Sequence, residues 1–457
     1  MRIVIVGCGK VGTTLAEQLN REKHEIVLIE KNPEVLQGVT NTLDLIGVAG
    51  NGASDAVLRE AGAATADLLI AVTTTDELNL LCCLIAKKVG VRNTIARVRN
   101  PEYSQEIRLV QEDLGLSMVI NPEFAAAAEI AQLLRFPSAI KIDTFAKGRV
   151  EILKLHIPAA SALDGMRIRD ISSRLRTRVL VCAVERGDAV EIPTGDYVLR
   201  QGDRVSIVAS PRKAVEFFRK AGVTAGRVNT AMLVGGGKIT YYLARQLIED
   251  GIQVKIIEMN KTRCEELSEL LPEAMILQGD GTDRELLAEE GLSRMDAFAS
   301  LTDVDEENVL LSLYAGAKSK AKLITKINRL ALEEIVSSMP LGSIISPKFI
   351  TAEHIVRYVR AMQNSLGSNV ETLYKIVGNK AEALEFRATE KSAVCGVPLM
   401  ELSTLPDLLI GAINRGGKIL TPGGRDTIEP GDTVIVVTTA AGLDDLDDIL
   451  DKRSVKA

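Results

Sequence analysis

One pattern occurs twice in this chain, and its repetition limits what the chain can fold into. Ile3-Val4-Ile5-Val6 is an apolar run short enough for a buried parallel strand, and it passes directly into Gly7-Cys8-Gly9-Lys10-Val11-Gly12. A G-x-G-x-x-G turn after a strand has a physical reading. The first glycine permits the tight turn, the second lets the backbone approach a pyrophosphate, and the third lets a helix beginning near Gly12 pack closely on the sheet. The amides at that helix N-terminus then face the anion. A second apolar run, Ile26-Val27-Leu28-Ile29, ends in Glu30, placed to accept hydrogen bonds from the hydroxyls of an adenosine ribose and to repel a 2′-phosphate.

The pattern returns at Ala231-Met232-Leu233-Val234, followed by Gly235-Gly236-Gly237-Lys238-Ile239-Thr240, then Val254-Lys255-Ile256-Ile257 and Glu258. In each copy the acid lies 23 residues after the first glycine. A lone glycine turn is weak evidence, because such turns also serve merely to pack a helix on a strand. Two strand-turn-helix-strand-acid units that agree in spacing are far stronger. The second copy carries Thr240 where the third glycine would stand, which puts close helix-to-sheet packing in doubt there.

The match continues downstream. In the first copy strands are expected near residues 43–48, 67–72 and 94–98, with a turn at Gly50-Asn51-Gly52 and a helix over residues 54–61. The second copy answers with Gly279-Asp280-Gly281-Thr282-Asp283 and with apolar runs over residues 296–301 and 323–327. The strand ends Thr73-Thr74-Thr75-Asp76 and Thr302-Asp303-Val304-Asp305 belong in the crevice at the carboxyl ends of a doubly wound sheet. Asn79 and Asn308 sit at equal offsets beyond them. Asp76 and Asp305 are either strand-end carboxylates of the crevice or helix N-caps. Arg97 and Lys326, at matched positions of the fifth strands, either neutralise a phosphate or stand as exposed strand-end charges. Ile120-Asn121-Pro122 and Ile345-Ser346-Pro347 close the sixth strands, and the apolar helices expected over residues 123–134 and 349–362 read as linkers or association faces.

Between the two copies the texture changes. Over residues 143–221 short alternating runs are separated by Gly-Asp turns, as in a small half-buried sheet. This segment also repeats: Arg186-Gly187, Ile192-Pro193 and Gln201-Gly202-Asp203 correspond to Arg415-Gly416, Thr421-Pro422 and Pro430-Gly431-Asp432 at a constant offset of 229. A chain of 457 residues is too long for one core, and the repeats divide it into four domains, 1–123, 140–221, 229–348 and 371–453, in tandem A-B-A′-B′ order. A small B segment makes a core if its faces are shared with a neighbour, so paired assembly is expected.

Composition excludes several functions. Aromatic residues make up 3% of the chain, with no Trp, and the net charge is −6, so neither a stacking platform nor a field for binding nucleic acid is present. The six cysteines form no C-x-x-C pair and no zinc spacing, which reads as free thiols in a reducing compartment. The sequence shows no signal-peptide pattern and no apolar run of membrane-spanning length, so a cytoplasmic protein is expected, touching a membrane through a partner at most.

A catalytic reading finds little. Tyr314 and Lys318 spell the Y-x-x-x-K pair with which short-chain dehydrogenases polarise a carbonyl, but on the wrong helix. A P-loop would need glycine and Ser or Thr where Met232 and Ile239 stand. None of the three histidines is repeated, and no metal site is expected.

With the glycine turns, the paired acids, the strand ends Thr73-Thr74 and Thr302-Asp303 and the intervening B segments in hand, the chain resembles the TrkA family. Its members are the peripheral regulatory subunits of bacterial and archaeal Trk potassium-uptake systems. The likeness covers residues 1 to about 453. It implies an α/β fold of two Rossmann-type parallel-sheet RCK-N (KTN) domains, each followed by a small α/β RCK-C domain. It also implies nucleotide contacts at Gly7, Cys8, Gly9, Lys10, Val11, Glu30, Asn51, Thr73, Thr74 and Arg97, and at Gly235, Gly236, Gly237, Lys238, Ile239, Glu258, Asp280, Thr302, Asp303 and Lys326. The resemblance implies NAD(H), ATP or ADP as ligands. It further implies a non-enzymatic homotetramer on the inner face of the cell membrane, gating an integral-membrane potassium-translocating subunit. Asp280 against Asn51, and Thr240 against Gly12, lead one to expect pockets that differ in affinity or ligand. The alternative reading is a cytosolic NAD-dependent oxidoreductase.

Overall fold

Strands that are apolar on both faces must be covered on both faces, and this governs the first sheet. The computed structural model describes all residues except 102, 104–105, 108–110, 146–148, 159–160, 188, 224–227, 329–338, 365–369, 377–380, 441–442, 444 and 452–457. In it β1 (Arg2–Val6), β2 (Glu25–Glu30), β3 (Ile46–Ala49), β4 (Leu68–Ala71), β5 (Asn93–Arg97) and β6 (Met118–Ile120) form one parallel sheet in the order β3-β2-β1-β4-β5-β6. Ile3, Val4 and Ile5 of the central strand are wholly buried. The order reverses between β1 and β4, which opens a crevice at the carboxyl ends of those strands.

The chain then changes to an antiparallel sheet. β7 (Ala139–Phe145), β8 (Val150–His156), β9 (Leu180–Arg186), β10 (Ala189–Glu191) and β11 (Arg204–Ala209) pair in the order β10-β9-β11-β8-β7. Both architectures recur. β12 (Thr230–Val234), β13 (Gln253–Glu258), β14 (Met275–Gln278), β15 (Ala297–Ser300), β16 (Lys322–Lys326) and β17 (Ser343–Ile345) repeat the parallel order as β14-β13-β12-β15-β16-β17. β18 (Val370–Ile376), β19 (Ala381–Arg387), β20 (Leu408–Arg415), β21 (Lys418–Leu420) and β22 (Thr433–Thr438) repeat the small sheet as β18-β19-β22-β20-β21.

Although the four segments alternate along the chain, like gathers with like. Met1–Ala131 and Asn229–Tyr358 form one compact unit, and Gln132–Val228 with Val359–Ala457 form the other. Two of the three boundaries between the units fall inside helices Pro122–Arg135 and Pro347–Asn364, where linkers or association faces are expected, and the third falls just before β12. In the second unit the shared core expected for the small sheets is supplied within one chain: Phe145, Ile152, Ala183 and Val208 cluster with Ala383, Ala412, Ile435 and Val437. The repeated Arg and Asp of these sheets are partners. Arg186 forks onto Asp203, with Nε to Oδ1 and a terminal nitrogen to Oδ2 both at 2.8 Å, and Arg415 grips Asp432 in the same way at 3.0 and 2.8 Å.

One boundary moves. The strand expected over residues 43–48 begins instead at Ile46, because helix Pro33–Leu43 continues to Leu43 and ends on Asp44 in a left-handed conformation. Residues 452 and 453, the end of the expected fourth domain, lie outside the described residues. No described helix is long and apolar enough to cross a membrane.

Candidate functional site

Each glycine turn is built as the spacing predicts, with one shift. The helices begin at Lys10 and Lys238, directly after Gly9 and Gly237, so the last three motif positions already lie in the first helical turn. Gly7 (φ +102°) and Gly235 (φ +99°) adopt a conformation that favours glycine, and their N–H groups donate to Ile29 and Ile257 carbonyls at 2.8 and 2.9 Å. A Cβ on Gly12 would lie 1.9 Å from the Gly7 carbonyl oxygen, which is why the first helix can approach so closely. The doubt raised by Thr240 is resolved in favour of close packing. Thr240 is wholly buried, and its hydroxyl donates to the carbonyl of Gly235, so a hydrogen bond replaces the bare backbone approach.

Above the second glycine there is room. A Cβ on Gly9 or Gly237 would meet nothing within 4 Å. Neither helix has a side-chain cap or an acid in its first turn. Helices Pro33–Leu43, Asp76–Val89, Lys261–Leu270 and Arg284–Glu289, by contrast, are capped by Asn32, Thr75, Asn260 and Asp283. The glycine-turn helices thus present unshielded amides and the positive end of the helix dipole, with Lys10, Val11, Lys238 and Ile239 in that first turn.

The acids at the ends of β2 and β13 are oriented by backbone. Glu30 accepts from the Cys8 amide at 2.8 Å and from the Asn32 amide at 3.0 Å. Glu258 accepts from Gly236 at 2.6 Å and from Asn260 at 2.7 Å. Each carboxylate keeps lone pairs that these amides do not use. The Cys8 thiol is buried and pushed up to about 12, first by burial and then by Glu30, so Cys8 contributes its amide and not a nucleophile.

At the other side of the crevice Asn79 and Asn308 brace the strand ends. The Asn79 carbonyl accepts from the amide and hydroxyl of Thr73, both at 2.7 Å, and its amide nitrogen donates to the Arg97 carbonyl at 2.8 Å. Asn308 repeats this with Thr302 and Lys326. Both asparagines are wholly buried. Asn79→Ala therefore leaves several crevice groups without partners and is expected to cost about 2–3 kcal/mol in chemical denaturation.

The cations differ between copies. Arg97 is partly buried and donates a terminal nitrogen to the Thr73 carbonyl, while its buried Nε has no partner among the described residues. Lys326 is 6% exposed, not an exposed strand-end charge, and its Nζ pairs with Asp303 at 2.9 Å. Thr74 holds the place of Asp303 in the first copy. Asn51 and Asp280, at the ends of β3 and β14, make equivalent turns by accepting the amides of Ala53 and Thr282. Asp76 and Asp305 are neither free crevice acids nor N-caps. Each is the first helical residue and accepts backbone amides of the segment after the fifth strand, Arg99 and Asn100 for Asp76 and Asn328 for Asp305.

Arg263 went unnoticed in the sequence. Its Nε donates to the Gly236 carbonyl at 2.7 Å, holding the second glycine turn, and Val35 occupies the matched place in the first copy. No motif marks it, since its reach depends on where helix Lys261–Leu270 lies against the turn. The Y-x-x-x-K pair does not form a site. Tyr314 packs against the domain core and Lys318 is exposed at the last turn of helix Asp305–Lys318, the end away from the crevice.

Comparisons with known proteins follow the same divisions. The TrkA-N domain family matches residues 3–122 and 231–347, and the TrkA-C domain family matches residues 153–222 and 383–451. A Trk system potassium uptake protein TrkA homolog from Archaeoglobus fulgidus is 37% identical over 437 residues, covering 95% of this chain and 97% of that protein. A second, TrkA homolog 1 from Methanosarcina mazei, is 33% identical and covers 98% of this chain and 99% of that protein. Among solved structures, the GsuK channel bound to NAD superposes with a TM-score of 0.62 at 17% identity, covering 96% of this chain and 77% of that one. At that identity the likeness is one of fold.

Proposed function

Because this chain belongs to the TrkA family of Trk-system potassium uptake proteins, we propose that it is a nucleotide-binding regulatory subunit whose occupancy is read mechanically, with no bond made or broken. Each glycine turn takes NAD(H) or an adenine nucleotide such as ATP or ADP. The observation that carries this reading is the pair of uncapped helix N-termini with open space above Gly9 and Gly237, each set beside a carboxylate that backbone amides orient. In the first pocket the pyrophosphate lies along Gly7 to Gly12 toward Arg97, the ribose on Glu30, and Asn51, Thr73 and Thr74 border it. In the second, Gly235 to Ile239, Glu258, Asp280, Thr302, Asp303 and Lys326 hold the matching places. The NAD named in the GsuK channel structure supports a dinucleotide on this fold by analogy.

The partner in this reading is an integral-membrane potassium-translocating subunit, approached from the cytoplasmic side by a homotetramer that touches the membrane only through it. A ligand biases such an assembly by its affinity difference between open and closed states. Calorimetric titration of the intact chain tests binding: Glu30→Ala and Glu258→Ala are each expected to weaken their own pocket by about tenfold or more, the loss of hydrogen bonds to a charged group. Potassium flux through the reconstituted partner should then follow occupancy. Flux indifferent to saturating nucleotide would overturn the regulatory reading even if binding is observed.

A further inference from the structure

The two pockets share a backbone and differ in charge. At matched positions Thr74 and Asn51 of the first copy are replaced by Asp303 and Asp280 in the second, two more carboxylates. The nearby cations otherwise balance, since Arg99, which has Asn328 as its counterpart, is paired with Glu123. Lys10 answers Lys238, Arg97 answers Lys326, and the first copy has Lys31 and Val35 where the second has Met259 and Arg263.

Geometry makes the difference sharper than the count. The guanidinium of Arg97 donates to the Thr73 carbonyl, its Nε is buried without a partner among the described residues, and the Glu123 and Asp76 carboxylates act on it through space without a hydrogen bond. Lys326, the matching cation, already holds Asp303 at 2.9 Å and the Leu301 carbonyl at 3.4 Å. A phosphate arriving in the first pocket finds a cation whose charge no carboxylate contact satisfies. One arriving in the second must displace or tolerate Asp303.

Asp303 also faces the first repeat. Its carboxyl is held below the usual range mainly by Lys326, with smaller contributions from Lys10 and Arg99 of the first copy. That proximity is consistent with the packing of the two nucleotide domains. The Tyr242 hydroxyl lies 2.9 Å from the Asn121 amide nitrogen and 3.5 Å from the Arg99 carbonyl, and its ring meets Phe124 edge-on.

We propose that the pockets select by ligand charge. The first is the polyphosphate site, and the second is neutralised from within by Asp303, so that it takes a pyrophosphate-bearing nucleotide much more weakly and discriminates little against a nucleoside without phosphates. This deepens the nucleotide-binding reading and rests on it. Asp303 is the residue that sets the difference, and Thr74 is its neutral counterpart.

The test is calorimetry on the intact chain with ADP and with adenosine, in buffers of low and high salt, with Glu30→Ala and Glu258→Ala used to assign each site. ADP is expected to bind the first site about tenfold or more tightly than the second, and the gap is expected to narrow as salt screens Asp303, which is exposed. Asp303→Thr should strengthen ADP binding at the second site by about tenfold, and Thr74→Asp should weaken the first by a similar factor, with adenosine changing by less than about twofold in either. Equal ADP affinities at the two wild-type sites, or an Asp303→Thr protein whose second site is unchanged, would overturn the charge selection while leaving nucleotide binding standing. Absence of ADP binding at both sites would overturn nucleotide binding itself.

Discussion

Alanine at Gly12 is expected to destabilise the first nucleotide domain by about 2–4 kcal/mol, whereas alanine at Gly9 leaves the fold within about 1 kcal/mol of wild type and removes most nucleotide binding at the first pocket. The two glycines lie three residues apart in one motif, and their surroundings are opposite. A Cβ at Gly12 falls 1.9 Å from the Gly7 carbonyl oxygen, so helix Lys10–Arg21 would have to move off the sheet. The second copy shows the compensation required. Thr240 is accommodated there with a hydroxyl that bonds the Gly235 carbonyl, which alanine cannot supply. Gly12→Thr is therefore expected to be milder than Gly12→Ala despite its larger side chain. At Gly9 the backbone is extended, with φ −71°, and a Cβ meets nothing within 4 Å. That methyl group enters the space through which a phosphate would reach the first-turn amides. Thermal denaturation without ligand separates the variants on stability, and nucleotide titration separates them on binding. A Gly9→Ala chain that binds as tightly as wild type would mean that the ligand does not approach the backbone there.

Asp203→Ala is expected to lower the stability of the unit containing the small sheets by about 2–4 kcal/mol, a fall in its melting temperature on the order of 5–10 °C. Asp203 is 1% exposed and receives two hydrogen bonds from Arg186 and one from the Arg200 amide at 2.8 Å. Truncating it leaves the guanidinium and that amide without their acceptor. Burial by itself would raise the Asp203 carboxyl, but the Arg186 hydrogen bonds and the Arg200 amide outweigh burial and hold it below the usual range. Because the folded-state value lies below the unfolded value of about 3.9, this stabilisation is complete above that pH and is lost as the pH falls through the folded value. The difference between wild type and Asp203→Ala should accordingly be constant from pH 6 to 8 and shrink below about pH 4. Denaturant titrations across that range check it, and a gap that widens on acidification would contradict the assignment. Asp432→Ala, at the repeated position, is expected to behave alike at neutral pH because Arg415 grips it through the same fork.

The sequence by itself determined the parallel nucleotide sheets and their duplication. Gly7 and Glu30, Gly235 and Glu258 recur at one spacing because a strand, a turn, a helix and a returning strand have fixed lengths, and any change would misplace the acid against the turn. The offset of 229 between Arg186 and Arg415, and between Asp203 and Asp432, likewise marked a repeat, although their pairing became visible when β9 and β11 lay side by side. What only the tertiary structure decided depends on groups that meet across strand ends. Lys326 and Arg97 are equivalent in sequence, yet one is paired with Asp303 and the other keeps a buried Nε free of a partner among the described residues. Thr240 looked like a defect until its hydroxyl was placed on the Gly235 carbonyl. The alternating A-B-A′-B′ chain led one to expect paired small segments, but not that the partner is the chain's own second copy, with the small sheets sharing one core. The physical reason is one of range. Spacing along the chain records contacts within one supersecondary unit, whereas the direction of a side chain at a strand end, and the face one sheet offers another, are set by packing among residues far apart in sequence.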